Sequence, residues 1–390
     1  MVALAAALAA AVLVARPWED APPTMRPEVT PDEVRSVSVD FGIVTDPGTD
    51  WAAVDRHLDD VGANGVDLSA GRVEFTAFDW AAHPEAAAEP GTDHLARAAR
   101  ALHEDADDTN RLVGLVVDAY VPEWIKADPS VAGVSADGRR SRYQVSASEL
   151  ATGDVGDRLV EYVAALGERY APSQIAITEL FLNRYSFGDD DLALYREMTG
   201  ADDWPRTADG EIDEGSPALG TWRSEVIAGL LGRMRAALDE TRDGDGRDIA
   251  LAMDVRVDWD DPAAGATSSG HDYRILLGAA DRLVVWAYVG PGDRTPAQVE
   301  ELTGALEDAG YDMSRFTMSV GLWAGAADAD PPQAISPAVM TATLAAASTH
   351  GITDVNVTPL SHLSPAHWAA LGAVWGPAAR PGSVSPSPPG

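Results

Sequence analysis

The segment QIAITEL, Gln174–Leu180, has the pattern of a strand in a parallel β-sheet. Its apolar run of Ile175, Ala176 and Ile177 predicts a buried strand. An acidic residue, Glu179, follows at the point where this apolar run should end. A carboxylate in that position is either a solvated strand end or a reactive group held at the edge of a sheet.

The same alternation of apolar strand and amphipathic helix recurs along the chain. The other predicted strands are Ser36–Ile43, Gly65–Ala70, Arg111–Tyr120, Asp248–Val257, Arg282–Gly290, Arg315–Trp323 and Ile352–Leu360. The clearest predicted helices are Asp50–Ala63, Asp93–Glu104, Asp154–Arg169, Trp222–Glu240, Thr295–Ala309, Ser336–His350 and Ser364–Trp375. This order predicts an α/β protein with a single (β/α)8 TIM barrel over residues 32–378. An open doubly wound sheet is disfavoured because no G-x-G-x-x-G follows the first strand.

Two connections are long enough to shape a binding site. They are Val121–Thr152, after the third predicted strand, and Phe181–Thr221, after the fourth. Barrel enzymes build their specificity from such loops at the C-terminal ends of the strands.

The composition excludes several classes of function. The chain has 390 residues, of which 46% are hydrophobic, so it can bury a large core. Its formal net charge of −34 makes nucleic-acid binding unfavourable. It has no cysteine, which excludes disulfides, thiolate catalysis and cysteine metal sites.

Both ends of the chain differ from the middle. Residues 2–15 are almost wholly alanine, valine and leucine, as in the apolar part of a secretory signal or a retained membrane anchor. A Pro-rich linker follows, so we assign residues 1–31 to signal or anchor and linker. The ending PGSVSPSPPG predicts a disordered tail over residues 379–390. We therefore expect export to the cell surface or beyond, with a possible membrane tether.

Carboxylates cluster at the predicted strand ends. Asp40, Asp118, Glu179 and Asp254 each follow or end a strand, and alternation along the strands is expected to turn them into the barrel. In this reading Glu179 is in phase with Ile175 and Ile177, and Asp254 with Arg256. Aromatic residues lie nearby: Tyr120, Trp124, Trp286, Tyr288 and Trp323. Acids beside aromatic faces are typical of sugar-binding sites.

On these features the chain resembles the (β/α)8-barrel glycoside hydrolase superfamily, including glycosidase-like proteins of bacterial cell surfaces. The motif ITEL places Glu179 at the end of strand four, where many retaining members carry their acid/base. Two departures matter. Thr178 stands where those members usually have asparagine, and strand seven, SVGLWAG, offers no glutamate as nucleophile. The two-glutamate mechanism therefore does not transfer, and a second acid must come from elsewhere.

Asp254, at the end of the neighbouring strand, is our candidate for that second acid. We expect Glu179 to act as general acid/base and Asp254 as nucleophile or general base, with Arg256 holding Asp254 ionised. Expected substrate-binding residues are Asp40, Glu74, Asp118, Tyr120, Trp124, Arg256, Trp286, Tyr288, Trp323 and Asn356. The expected partner is a polysaccharide or oligosaccharide, and no cofactor or metal is expected.

Three alternatives stay open at this point. Glu179 could pair with Arg184, or Asp254 with Arg256, as structural braces at the barrel rim. The barrel could bind glycans at the cell surface without cleaving them, which the missing acid on strand seven favours. It could also be a lyase or isomerase acting on an acidic sugar, which would need basic residues around the cleft.

Overall fold

The computed structural model describes residue 25 and residues 31–104, 111–240, 249–325 and 333–376. The predicted signal or anchor, most of the linker and the predicted tail lie outside these residues. None of the helices within these ranges is long and apolar enough to cross a membrane.

Eight parallel strands close into a barrel. The strands in chain order are β1 (Val34–Val39), β2 (Gly65–Arg72), β3 (Phe75–Thr76), β4 (Leu112–Asp118), β5 (Ala132–Val134), β6 (Arg140–Val145), β7 (Gln174–Thr178), β8 (Ala250–Val255), β9 (Arg282–Trp286), β10 (Phe316–Gly321) and β11 (Asp354–Thr358). The barrel order is β1-β2-β4-β7-β8-β9-β10-β11, and β11 pairs with β1 to close it. Strand β3 pairs back on β2, while β5 and β6 form a separate hairpin. The predicted (β/α)8 barrel is thus confirmed.

Helices surround the barrel. They are α1 (Phe41–Thr45), α2 (Trp51–Val61), α3 (His94–Ala99), α4 (Pro122–Ala127), α5 (Ala147–Thr152), α6 (Asp154–Tyr170), α7 (Asp189–Thr199), α8 (Pro217–Glu240), α9 (Tyr273–Leu276), α10 (Pro296–Asp308), α11 (Pro337–Ala347) and α12 (Pro365–Trp375). The residues at which three of the predicted helices begin, Asp50, Thr295 and Ser336, are N-caps. Their side chains accept hydrogen bonds from backbone N–H groups in the first turns of α2, α10 and α11.

The first predicted strand, Ser36–Ile43, extends beyond the C-terminal end of the observed strand β1. The observed strand ends at Val39, and Asp40 becomes the N-cap of α1, whose first turn donates from Ile43 and Val44 to the carbonyl of Asp40. A β-like sequence therefore continues as a helix, because the chain must turn away from the barrel mouth at this point.

The predicted phase of β7 was also wrong. Ile175 and Ile177 belong to the main core between barrel and helices, whereas Ala176 packs inside the barrel with Val116 and Ala252. Both faces of a parallel strand are buried, so an unbroken apolar run does not reveal which residues point inward.

A buried carboxyl group, Asp67 on β2, organises the interior of the barrel. Its oxygens accept hydrogen bonds from Gln174 (2.8 Å), Ser36 (2.9 Å) and Asn356 (3.1 Å), which come from three other strands. Burial raises the pKa of Asp67, and the hydrogen bonds from Gln174 and Ser36 oppose that rise. Gly114 on β4 is required here, because a Cβ atom would lie 2.2 Å from an Asp67 oxygen.

A second buried ionic group anchors the outside of the barrel. Arg111, only 2% exposed, precedes β4 and donates to Asp55 (2.6 Å) and Asp59 (2.5 Å) on α2. It also donates to the carbonyl of Leu102 (2.8 Å). One side chain therefore joins the start of a barrel strand to two surrounding helical segments.

Replacing Arg111 by alanine should lower the free energy of unfolding by about 3–5 kcal/mol, because Asp55 would lose the partner of its buried charge. Urea denaturation at pH 7 measures this loss. Arg206→Ala is the matched control, since the exposed Arg206–Asp203 pair (2.9 Å) should contribute less than about 1 kcal/mol. Equal losses in both variants would contradict a special role for Arg111.

Candidate active site

A cavity of about 750 Å³ opens at the C-terminal ends of the barrel strands. Asp67 and Gln174 lie in its lining, so it reaches down to the polar network inside the barrel. The predicted site residues that line this cavity are Asp40, Tyr120, Glu179, Asp254, Arg256, Trp286, Tyr288, Trp323 and Asn356. Their roles stay predictions, but the fold brings them to one place.

Glu179 reaches the cavity through an unusual backbone conformation. Simple alternation would put it on the outer face with Ile177, but its φ of 57° is left-handed and it lines the cavity beside Thr178. A residue other than glycine in this conformation costs roughly 1–2 kcal/mol. Such strain is most often retained where a side chain must point in one particular direction.

The Glu179 carboxylate has a defined electrostatic environment. Burial raises its pKa, a hydrogen bond from the Tyr120 hydroxyl lowers it, and the charge of Asp118 raises it. The positive charge of Arg256 lowers it again. Glu179 is therefore a half-buried acid with a phenol donor and a guanidinium close by.

Asp254 extends inward from β8, the strand that pairs with β7. It accepts hydrogen bonds from the Thr178 hydroxyl and from the indole nitrogen of Trp286, the latter at 3.1 Å. Burial raises the pKa of Asp254 to about 7; these two donors oppose the rise and the negative charge of Glu179 adds to it. Thr178, which distinguishes ITEL from the usual motif, thus contacts the second acid directly.

Arg256 does not hold Asp254 ionised, contrary to our expectation. Its guanidinium carbon lies 3.6 Å from the ring centroid of Phe181 and 5.6 Å from that of Trp286, and its charge acts on Glu179. Among the residues that the structure describes, no ion pair joins Asp254 to Arg256 or Glu179 to Arg184. The two structural braces considered from sequence are therefore not formed.

A buried histidine ties the two acid-bearing segments together. His271 is 1% exposed; its Nδ1 accepts from the backbone N–H of Arg256, and its Nε2–H donates to the carbonyl of Leu180, both at 2.9 Å. These partners fix the neutral tautomer, and burial lowers its pKa to about 4. Sequence reasoning could not find this bridge, because no local pattern signals a contact across 91 positions.

Three aromatic rings form one wall of the cavity. Trp286 and Tyr288 stack with ring centroids 5.4 Å apart and planes 7° apart, and Trp323 follows at 5.3 Å from Tyr288. Gly321 allows this packing, since a Cβ atom there would lie 2.4 Å from the Tyr288 ring. Stacked rings facing a polar cavity provide a flat apolar surface beside the two acids.

Two further lining residues already have partners within the protein. Asp40 accepts hydrogen bonds from the backbone N–H and the hydroxyl of Ser361, both at 3.0 Å, and so fixes the loop after β11. Asn356 donates to Ser36 (2.8 Å) and Ser38 (3.0 Å). Both residues therefore support the cavity as well as bordering it.

Three predicted substrate-binding residues do not line the cavity. Asp118 forms an ion pair with Arg72 (2.5 Å), and Glu74 accepts from the backbone N–H of Trp124 (2.6 Å). The Trp124 ring lies 5.2 Å from the guanidinium carbon of Arg158. These residues build the adjoining rim, in the loop regions after β2 and β4.

The stability of the protein should depend on pH through Asp254. Its folded pKa of about 7 lies above the ordinary value of 3.8, so its stabilising contribution is complete below pH 4 and is lost as pH rises through 7. At about 1.4 kcal/mol per unit, the loss is a few kcal/mol. Asp254→Asn, which carries no charge, should therefore exceed wild type in stability at pH 8 and match it near pH 4.

Urea denaturation of both proteins at pH 4.5, 6 and 8 measures this difference. Burial also raises the pKa of Asp191 to about 7, but Asp191 is present in both proteins, so its contribution cancels in the stability difference. The exposed acid Asp203, replaced by asparagine, is the control and should show no such gain at pH 8. A stability difference between Asp254→Asn and wild type that is independent of pH would contradict the assignment.

No protein-family model and no curated protein sequence matches this chain. Several solved structures do. The glycoside hydrolase domain of PgaB (BpsB) from Bordetella bronchiseptica superposes with a TM-score of 0.65 at 16% identity, over 88% of this chain and 99% of that domain. A β-galactosidase from Halorubrum lacusprofundi gives 0.62 at 14% identity, over 87% of this chain and 57% of that enzyme.

The α-L-fucosidase isoenzyme 2 from Paenibacillus thiaminolyticus gives a TM-score of 0.60 at 15% identity, over 88% of this chain. The chain spans 49% of the fucosidase and 57% of the β-galactosidase, so both are much longer proteins. Identities this low establish the fold alone. The chain therefore shares the (β/α)8 barrel fold of these glycoside hydrolases.

Proposed function

We propose that this protein is a glycoside hydrolase that cleaves a polysaccharide or oligosaccharide with Glu179 and Asp254. The observation that carries the proposal is their arrangement: two electrostatically coupled carboxyl groups from adjacent strand ends line one cavity with a wall of aromatic rings. Glycosidases use a pair of carboxyl groups flanking the scissile bond, and aromatic faces hold the sugar rings.

The environments of the two acids support distinct roles, which reverse our expectation from sequence. Asp254, whose pKa is raised to about 7, retains a proton near neutral pH and suits the general acid. Burial raises the pKa of Glu179, but the hydrogen bond from the Tyr120 hydroxyl and the positive charge of Arg256 both favour its charged form. It suits the nucleophile or general base.

The first step then follows from these protonation states. Asp254 gives its proton to the glycosidic oxygen as the bond from that oxygen to the anomeric carbon breaks. The Glu179 carboxylate either bonds to the anomeric carbon or takes the proton of a water that attacks it. The configuration of the released sugar distinguishes these two routes.

The structural neighbours support this proposal in a limited way. All three are glycoside hydrolases by name, and this chain matches 99% of the length of one of them, the PgaB domain. The fucosidase and the β-galactosidase are named for different sugars, so the neighbours do not indicate the sugar.

A glycan-binding barrel without activity is the second candidate. It is favoured by the seventh barrel strand, β10, which ends at Gly321 and is followed by Leu322 and Trp323 without a carboxylate. Such a protein would need the aromatic wall but not the proton of Asp254.

Substituting each acid by its amide separates these two candidates. Release of reducing ends from a broad glycan panel should occur with wild type and fall by about 10²–10⁴-fold in Glu179→Gln and in Asp254→Asn. Glycan binding should persist in both variants. Asp203→Asn, outside the cavity, is the control and should keep wild-type rates. Binding by all four proteins without release by any would favour the inactive barrel.

The pH dependence of kcat/KM tests the assignment of roles. Activity should fall as pH rises above about 7, because Asp254 loses the proton it must donate. It should also fall at low pH, where Glu179 becomes protonated. Tyr120→Phe removes the donor that lowers the pKa of Glu179, so the acidic limb should move to higher pH. Movement of the alkaline limb alone would instead assign the acid role to Glu179.

A further inference from the structure

A second cavity, of about 520 Å³, opens beside the candidate active site. It is formed on the β5–β6 hairpin, within the long connection after β4. Tyr120 lines both cavities, and its hydroxyl donates to Glu179. A chain of sugar units that passes the acid pair would therefore meet this hairpin next.

The hairpin cavity is basic, although the protein is strongly acidic. Three of its lining residues are Arg139, Arg140 and Arg142, so the segment 139–142 carries three positive charges in a chain of net charge −34. At physiological salt the electrostatic effect of an exposed charge extends over about 8 Å, so these neighbouring arginines make the local potential positive.

The three arginines differ in how far they are engaged. Arg139 pairs with Asp137 at 2.5 Å. Arg140 donates to the carbonyl of Pro129 at 2.6 Å, and its charge also acts on the carboxylate of Asp128. Arg142 is exposed and has no acidic partner among the residues that the structure describes. Arg142 is therefore the cation of this cavity that is most available to an anion.

Tyrosines complete the cavity. Tyr143 is 53% exposed, more than any other large apolar or aromatic residue in the described ranges, and its ring centroid lies 5.6 Å from that of Tyr120. Tyr185, in the connection after β7, also lines this cavity. An exposed ring next to a guanidinium suits a sugar ring that carries a negative group.

The hairpin is held firmly against the barrel loops. The backbone of Val121 donates to Tyr143 (3.3 Å) and that of Phe187 donates to Val134 (2.8 Å), which joins the hairpin to the segments after β4 and β7. A Cβ atom on Gly133 would lie 2.2 Å from the carbonyl oxygen of Tyr185, so the two segments are in close contact. These contacts therefore fix the position of the hairpin backbone that carries the arginines.

We propose that this cavity is a subsite for a sugar unit with an anionic substituent, a carboxylate or a sulfate ester, next to the unit that is cleaved. The inference rests on the proposed function and narrows its substrate to an acidic polysaccharide. The carboxylates of Asp40 and Glu179 would repel an anion at the cleavage site itself, so the charged unit lies at the hairpin.

The test uses acidic polysaccharides in matched pairs. Uronic-acid polymers are compared with the same polymers after carboxyl reduction, and sulfated polymers with their desulfated forms. Wild type should act on the anionic member of one pair with a kcat/KM higher by about tenfold or more, since a charge-assisted hydrogen bond is involved. The pair that shows the preference identifies the substituent.

Variants locate the preference on the hairpin. Arg142→Gln and Tyr143→Ala should raise KM for the anionic polymer with little change in kcat, and Arg142→Gln should remove the preference over its neutral counterpart. Arg206→Gln, an exposed arginine outside both cavities, is the control and should keep the preference. Equal kcat/KM on both members of every pair, or an unchanged preference in Arg142→Gln, would overturn the proposal.

Binding separates failure of this inference from failure of the proposed function. If no polymer is cleaved, binding of the same pairs to wild type and Arg142→Gln is measured instead. An anionic preference that Arg142→Gln loses would retain the subsite and overturn the hydrolase. Absence of binding to every anionic polymer would overturn the subsite as well.

Discussion

The hydrogen-bonded burial of Asp67 is the constraint on which the interior of this barrel depends. A carboxyl group inside a barrel needs partners, and Ser36, Gln174 and Asn356 supply them from strands on different sides. Their presence, and the absence of a side chain at Gly114, leave only a small apolar cluster where many barrels have layers of branched residues. The cavity is deep because this network takes the place of bulky packing.

Two aromatic residues connect the aromatic wall and the hairpin cavity to the two carboxyl groups, Asp254 and Glu179. Trp286 belongs to the stacked wall and also donates to Asp254, while Tyr120 borders the hairpin cavity and donates to Glu179. Under the proposed function, a sugar bound against these rings would exclude water from both carboxyl groups. Since loss of water disfavours the charged form of an acid, binding would strengthen the hold of Asp254 on its proton.

The sequence predicted most where one face of an element differs chemically from the other. The alternation on β8 placed Asp254 inward, and Asp50, Thr295 and Ser336 marked helix starts. It failed for the phase of β7, where both faces are apolar. Glu179 lines the cavity as predicted, but through a left-handed backbone that leaves no trace in the residue pattern. The partner of Arg256 and the bridge through His271 depend on loops that meet only in the folded chain. The hairpin arginines were visible in the sequence, but nothing local indicated that they border the mouth of the barrel.

The bridge through His271 has a consequence for how such a protein can diversify. One buried ring holds the backbone one residue after Glu179 and two residues after Asp254, so their mutual placement is set by the segments after β7 and β8 and not by the connection after β4 that carries the hairpin. The loop that carries the hairpin can then gain, lose or exchange residues without disturbing that placement. If the protein cleaves a polymer as proposed, the choice of polymer and the reaction performed on it would be free to change separately over evolutionary time.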